Sequence, residues 1–94
     1  MAVYFMYGRY DADSIREISS DRTEKVEDTI RGNGGKLISM YVLLGDPDMV
    51  FIVEFDELKQ AVQTSVTLSR LTGIAFQTTP AVSAKEFDRI ASEE

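Results

Sequence analysis

The fold is decided by residues 36–55, KLISMYVLLGDPDMVFIVEF, in which two apolar runs flank a short polar turn. The runs Lys36–Leu44 and Met49–Phe55 are rich in β-branched, aromatic and long aliphatic residues, a composition typical of β-strands. The turn Gly45-Asp46-Pro47-Asp48 suits a tight reversal, because Gly tolerates any φ, Pro fixes φ, and Asp side chains bond nearby backbone amides. The stretch therefore predicts a β-hairpin.

Pairing of Leu44 with Met49 across this turn would sort the side chains of the hairpin onto two faces, since successive residues of a strand alternate. We expect the wholly apolar face to pack against helices, and a slip of one residue would exchange the faces. The second face is mixed, and on it Ser39 lies opposite Glu54. The apolar face would carry Ile38, Met40, Val42, Leu44, Met49, Phe51, Val53 and Phe55.

The residues before the hairpin predict a strand and a helix. Ala2–Tyr10 is apolar on both faces, which is typical of a central strand. Asp11–Asp21 fits a short helical turn, after which Asp21 is a candidate N-cap with Glu24 three residues later. The glycines at 32, 34 and 35 end this helix.

The residues after the hairpin predict a second helix, a fourth strand and a terminal helix. Asp56 is a candidate N-cap for a helix over Glu57–Leu71, and Ile74–Ala81 has strand composition. Ser83 and Glu86 have the spacing of a capping box, which predicts a helix over about Ala84–Ala91. The stripe expected to face the sheet on the second helix is Leu58, Ala61, Val62, Ser65, Leu68 and Ser69.

The order βαββαβ plus a terminal helix predicts one α+β domain over residues 1–94 with a ferredoxin-like fold. Its four-stranded antiparallel sheet would have the spatial order 4-1-3-2, with both main helices on one face. The mixed face, with Tyr41, Val50, Ile52 and Glu54, would remain open. Because monomers rarely expose a large contiguous apolar surface, we predict a homodimer in which two sheets stack as a dimeric α+β barrel. Alternatively, the C-terminal helix covers this face.

Composition narrows the classes of function. The net charge is −6, from 10 basic and 16 acidic residues, which argues against a nucleic-acid partner. The absence of Cys and His removes thiolate chemistry and the commonest zinc ligand and general base, and we predict no metal or other cofactor. No apolar run approaches the roughly 20 residues of a membrane span, and no basic leader precedes Val3, so we predict a cytoplasmic protein without a membrane partner.

Four residues are candidate ligand-binding positions. Glu54 interrupts an apolar strand on the face expected to be enclosed by a second subunit, where a carboxylate requires a partner. Arg9 could hold an anionic ligand, or it could pair with a surface acid. Tyr41 and Tyr10 are either walls of such a site or apolar contacts of the core and interface.

The chain resembles the GYD domain family almost end to end. The resemblance implies a ferredoxin-like fold and a dimeric α/β barrel assembly, a recurring Glu at the position of Glu54, and no assigned reaction. In the family an aromatic Tyr usually precedes the signature Asp, whereas Pro47 precedes Asp48 here, so any role of that Tyr is missing. The matching stretches are Tyr4 through Gly8-Arg9-Tyr10, Ile15–Ile18, Gly34–Leu37, Leu44–Val50 continuing to Ile52–Glu54, Thr78-Thr79 and Glu86-Phe87.

Three hypotheses for function follow. The first is a small self-associating binding or regulatory module with a pocket for a small molecule, lined by Tyr41, Glu54 and Arg9. The second is a cofactor-independent barrel enzyme, a monooxygenase or isomerase, with Glu54 as the base. Such enzymes often depend on His, Asn or Trp, and Asn33 is the sole residue of these types in the sequence, which weakens the enzyme hypothesis. The third is a structural subunit without a ligand.

Overall fold

The computed structural model describes residues 2–9 and 19–93. The described part forms an antiparallel sheet with the spatial order β2-β3-β1-β4, which is the predicted order. The ferredoxin-like α+β fold with an additional C-terminal helix is therefore confirmed. The predicted helical turn over Asp11–Asp21 falls largely on residues 10–18, which lie outside the described part. The elements are β1 (Ala2–Gly8), α1 (Ser20–Gly32), β2 (Lys36–Val42), β3 (Met49–Phe55), α2 (Leu58–Thr72), β4 (Phe76–Ala81) and α3 (Ala84–Ser92).

The core lies between one face of the sheet and the helices α1 and α2. Alternate residues of the two central strands, β1 and β3, point into it, and α1 contributes Val26 and Ile30. Tyr4 and Phe55 meet edge to face, with ring centroids 5.9 Å apart. The other buried members of this core are Met6, Met49, Phe51, Val53, Ala61, Leu68 and Ile74.

The hairpin pairs in a register that differs from the predicted one. Val42, rather than Leu44, lies opposite Met49. The Leu43 N–H donates to the Asp48 carbonyl at 2.6 Å, so the turn occupies residues 43–48 and Leu44 is fully exposed at its tip. The prediction that Val42 and Leu44 lie in the core is wrong, because the polar turn is two residues longer on the β2 side than its Gly-Asp-Pro-Asp sequence indicates.

A β-bulge between Leu37 and Ser39 further changes the facing of β2. Leu37 packs against the core and Ile38 is exposed, the reverse of the prediction, because an extra residue in a strand exchanges the faces beyond it. In β3 the predicted alternation is confirmed, since Met49, Phe51, Val53 and Phe55 are all buried. Sequence patterning was therefore accurate for the central strand and inaccurate for the edge strand.

Helix boundaries differ from the predictions by one or two residues. Ser19, not Asp21, caps α1: its backbone is extended and its hydroxyl accepts the Arg22 amide at 3.1 Å, which places Asp21 in the first turn, where a carboxylate complements the helix dipole. Glu57, not Asp56, caps α2 through a capping box with Gln60. The predicted cap of α3 is confirmed, because the Ser83 hydroxyl accepts the Glu86 amide at 3.1 Å.

The buried side of α2 is rotated from the predicted stripe. Ala61 and Leu68 are buried as expected, but Thr64 and Thr72 complete the buried side. Leu58 and Val62 are exposed instead. Thr64 and Thr72 satisfy their hydroxyls locally by donating to the carbonyls of Gln60 and Leu68, which lets two polar residues enter the core. This side-chain chemistry is not visible in an apolar periodicity.

Candidate functional site

The face of the sheet that points away from α1 and α2, here called the open face, carries an apolar centre. Phe5 lies opposite Ile52, and Tyr7 lies opposite Val50, which in turn lies opposite Tyr41 on the edge strand. The rings of Phe5 and Tyr7 contact each other with centroids 6.2 Å apart. Phe5, Tyr7 and Ile52 are only half-buried, and Tyr41 is exposed, so α3 does not cover this face within one chain.

An open cleft lies at one end of this face, where β1 leads out of the sheet beside the β2–β3 turn. The Arg9 Nε lies 2.8 Å from the Asp46 Oδ1, and both side chains are largely exposed. The Asp48 amide donates to the Gly8 carbonyl at 3.0 Å and continues the β1–β3 ladder into the turn. This cleft, called the Arg9 cleft below, has a volume of about 470 Å³ and is lined by Tyr7, Arg9, Asp46, Pro47, Ala75, Phe76 and Gln77.

The Arg9 cleft combines opposite charges with apolar walls. The Arg9 guanidinium can donate two parallel hydrogen bonds to a carboxylate or phosphate, and the Asp46 carboxylate can accept from an ammonium or hydroxyl group. Tyr7 and Phe76 supply aromatic surface on the wall. This arrangement can orient a small polar molecule that has an apolar part, and Arg9 and Asp46 would exchange their mutual contact for contacts with it.

Glu54 lies at the other end of the sheet. Its partners across the ladder are Val3 and Lys36, not the predicted Ser39, because the longer turn shifts the register by two residues and the bulge in β2 shifts it by one more. Val3 is six residues before Arg9, which corresponds to about 20 Å along an extended strand. Glu54 is half-buried and faces a basic residue across the strands, and it does not line the Arg9 cleft.

The candidate residues therefore separate into distinct places in one chain. Tyr41 lies in the same cross-strand row as Tyr7, about 10 Å from it across two strand spacings. Arg9 directly follows β1, two residues after Tyr7 along the chain. Glu54 lies near the C-terminal end of β3, at the opposite end of the sheet. Tyr10 lies outside the described residues. One pocket lined by Tyr41, Glu54 and Arg9 together is not formed in a single chain.

Sequence reasoning missed the roles of Tyr7, Asp46, Phe76 and Gln77 in the cleft. The sequence pattern indicates only a turn position for Asp46. The predicted strand order nevertheless indicates that Arg9 and Asp46 are close. Because β1 and β3 are adjacent and antiparallel, the end of β1 lies next to the start of β3. Within residues 2–9 and 19–93, no group of three acidic side chains is placed to share a metal ion.

No helix of the described part has the length and apolar character required to cross a membrane.

The family comparison covers nearly the whole chain. The model of the GYD domain matches residues 4–91, which include the open face and the Arg9 cleft. The chain belongs to the GYD domain family. A search of curated proteins found no match for this GYD chain.

Among solved structures, the GYD chain is similar to the leucine response regulatory protein LrpA of Mycobacterium tuberculosis. The TM-score is 0.62 and the sequence identity is 12%. The likeness covers 88% of this chain but 51% of that one, so the GYD chain spans about half the length of its structural neighbour. At this identity the likeness shows a shared fold.

Proposed function

We propose that this GYD protein is a small regulatory or binding module that acts as a homodimer and holds a small molecule in the Arg9 cleft. The resemblance to the GYD family implies no reaction, and the structural neighbour is named as a leucine response regulatory protein, which supports regulation rather than catalysis. Glu54, the base of the alternative enzyme hypothesis, lies outside the cleft and faces Lys36. Binding is thus the function that the geometry supports best.

The observation that carries the proposal is the chemistry of the open face. Charged residues make up 28% of the chain. The residues that lie beside Phe5 and Tyr7 on the neighbouring strands of this face are nevertheless all uncharged. The one acidic residue on this face of β3, Glu54, is at the end and faces Lys36. An uncharged, aromatic centre with a polar margin is the anatomy of a protein interface.

A second copy of the same chain is the partner that this surface fits. Two identical faces can pack through a two-fold axis, so that each aromatic row meets the same row of its partner. Packing of two sheets places them about 10 Å apart, with side chains of both inner faces interdigitated. Such packing would bury the exposed side of Tyr41 and the half-exposed rings of β1.

A charge placed at the centre of this face tests the homodimer. We expect Ile52→Glu to weaken the dimer at least tenfold in sedimentation equilibrium, because two carboxylates would be buried against apolar side chains. Thr67→Glu is the matched control, since it adds the same charge on the exposed surface of α2. Equal dissociation constants for both variants and the unchanged chain would show that the open face is not the dimer contact.

The ligand part of the proposal is tested with defined small molecules. An amino acid carries the two charges that complement Arg9 and Asp46 and a side chain for the apolar wall, and the neighbour's printed name points to leucine first. We expect L-leucine or another standard amino acid to bind in calorimetric titration, with affinity lowered at least tenfold in Arg9→Gln and unchanged in Lys36→Gln. Absence of binding across all standard amino acids, or equal loss in both variants, would reject this ligand class.

A further inference from the structure

The C-terminal helix α3 is well formed but buries none of its residues. Ser83 caps its first turn, and Glu86 and Arg89 form an ion pair along its surface. Its two large apolar side chains, Phe87 and Ile90, are 61% and 51% exposed. An isolated helix of nine residues is marginal in water, so this helix needs a packing surface, and residues 2–9 and 19–93 of the same chain do not provide one.

The side chains of α3 are arranged as a docking face. With about 100° between successive residues, Phe87 and Ile90 share one side of the helix. The acids Glu86 and Glu93 lie together on one margin of that side. The remaining charged residues, Lys85, Asp88 and Arg89, lie on the opposite side. The surface that α3 offers to a partner is therefore an apolar seam with one acidic margin.

Helix α2 carries a surface of the complementary kind. Leu58, Val62 and Val66 follow a spacing of four residues and are 60%, 52% and 47% exposed. These three residues, here called the α2 stripe, lie on the flank of α2 opposite Gln60, whose side chain lies beside Gly34 at the end of α1. The α2 stripe therefore points away from α1 and is not covered by it.

Within α2 itself, the charged residues beside the α2 stripe are both basic. Leu58–Thr72 contains no acidic residue, and its two ionisable side chains are Lys59 and Arg70. Both fall next to Val62 and Val66 around the helix, on one margin of the stripe. Neither has an ion-pair partner among the residues that the structure describes. The acidic margin of α3 is thus complementary in charge to the basic margin of α2.

We propose that α3 of one copy of this chain docks on the α2 stripe of a second copy. Both surfaces are exposed in the described part of the chain, where Val82 and Ser83 join β4 to α3. In two copies each α3 can fill the other's stripe, so the exchange is reciprocal and closes at the dimer. Apolar side chains at helical spacing with opposite charges beside them specify partner and orientation in the way that paired helices do. This contact does not depend on the sheet-to-sheet contact proposed above.

The absence of cysteine makes the contact directly measurable by cross-linking. One copy carries Val62→Cys and a second carries Ile90→Cys, and the mixture is treated with a short bis-maleimide. We expect a cross-linked pair containing one chain of each kind, with a yield at least fivefold above the control mixture of Val62→Cys and Lys85→Cys. Lys85 is the matched control because it lies on the opposite side of the same helix.

Three outcomes would overturn this inference. One is equal yield in the two mixtures. Another is cross-linking confined within single chains when Val62→Cys and Ile90→Cys are combined in one chain, which would mean that α3 docks on its own α2. The third is a ladder of trimers and longer species, which would contradict the closed pair.

Substitutions in α3 and in the open face distinguish this contact from the open-face dimer. Phe87→Ser with Ile90→Ser removes the apolar seam from exposed positions, and we expect at least a tenfold weaker dimer with the protomer still folded. If Ile52→Glu dissociates the dimer and the α3 variant does not, the inference fails and the open-face dimer stands. If the α3 variant alone dissociates the dimer, the open-face proposal fails and the α3 contact stands.

Discussion

The two faces of the sheet are built from the same strands but differ in how far one chain covers them. On the helix-covered face, Met6, Val53 and Phe55 have no exposed surface. On the open face, Phe5 and Ile52, their sequence neighbours, are equally apolar and only half-buried. An apolar residue at an alternating strand position therefore predicts burial of its side chain. The pattern does not predict whether the covering atoms belong to the same chain.

The largest difference in stability between the two faces is expected when one aromatic ring is removed from each face. Phe55→Ala is expected to lower the free energy of unfolding by about 3–5 kcal/mol, because Phe55 is completely buried in the core and packs against Tyr4. Phe5→Ala should cost less than half as much at dilute concentrations, since its ring is partly exposed there. Urea unfolding followed by circular dichroism measures both, and equal losses would mean that one chain covers both faces.

A smaller change in stability is expected from substituting two glycines, one beside the core and one away from it. A Cβ at Gly35 would meet the ring of Phe55 and the side chain of Ile30, whereas a Cβ at Gly32 would meet no atom within 4 Å. Gly35→Ala should therefore destabilise the fold by about 1–3 kcal/mol through overpacking. Gly32→Ala should leave stability unchanged or raise it by up to about 1 kcal/mol. Thermal unfolding of the two variants would contradict this account if the order were reversed.

The smallest effect compares the caps of a packed helix and an unpacked one. Ser19→Ala removes the hydroxyl that accepts the Arg22 amide and should cost about 1 kcal/mol of global stability, since α1 contributes Val26 and Ile30 to the core. Ser83→Ala removes the same bond from α3, which buries nothing in one chain, so global stability should change by less than about 0.5 kcal/mol at dilute concentration. Faster amide exchange confined to α3 would accompany it. An equal global loss in both would show that α3 packs on its own chain.

The sequence was sufficient for the element order, the strand order and the buried face of β3, because turn residues, caps and alternation agree there. It was insufficient for β2. The longer turn leaves Val42 and Leu44 exposed, and the bulge leaves Ile38 exposed, so Met40 is the one predicted core residue of β2 that packs against the core. An edge strand has one neighbour and a half-exposed pattern, so its register is less constrained by burial than that of a central strand. The threonines of α2 escaped prediction because their polarity is satisfied by their own helix.

The candidate site was predictable only in part. Arg9 and Tyr41 do lie on or beside the open face, but Glu54 and Arg9 lie at opposite ends of it. Their separation follows from the length of the strands. Both residues are predicted to lie near the C-terminal ends of adjacent antiparallel strands, and those ends are at opposite edges of the sheet. The Arg9–Asp46 ion pair joins residues far apart in sequence, and neither residue alone has a pattern that indicates the other. Topology, applied residue by residue, would have placed them together.

The mass of the unmodified chain in solution tests the central claim, that a second copy covers the open face. Sedimentation equilibrium over a range of concentrations measures it directly. We expect a species of twice the 10.5 kDa chain mass that dissociates on dilution and dissociates far more readily in Ile52→Glu. A mass of 10.5 kDa at every concentration, with identical behaviour of the variant, would contradict it.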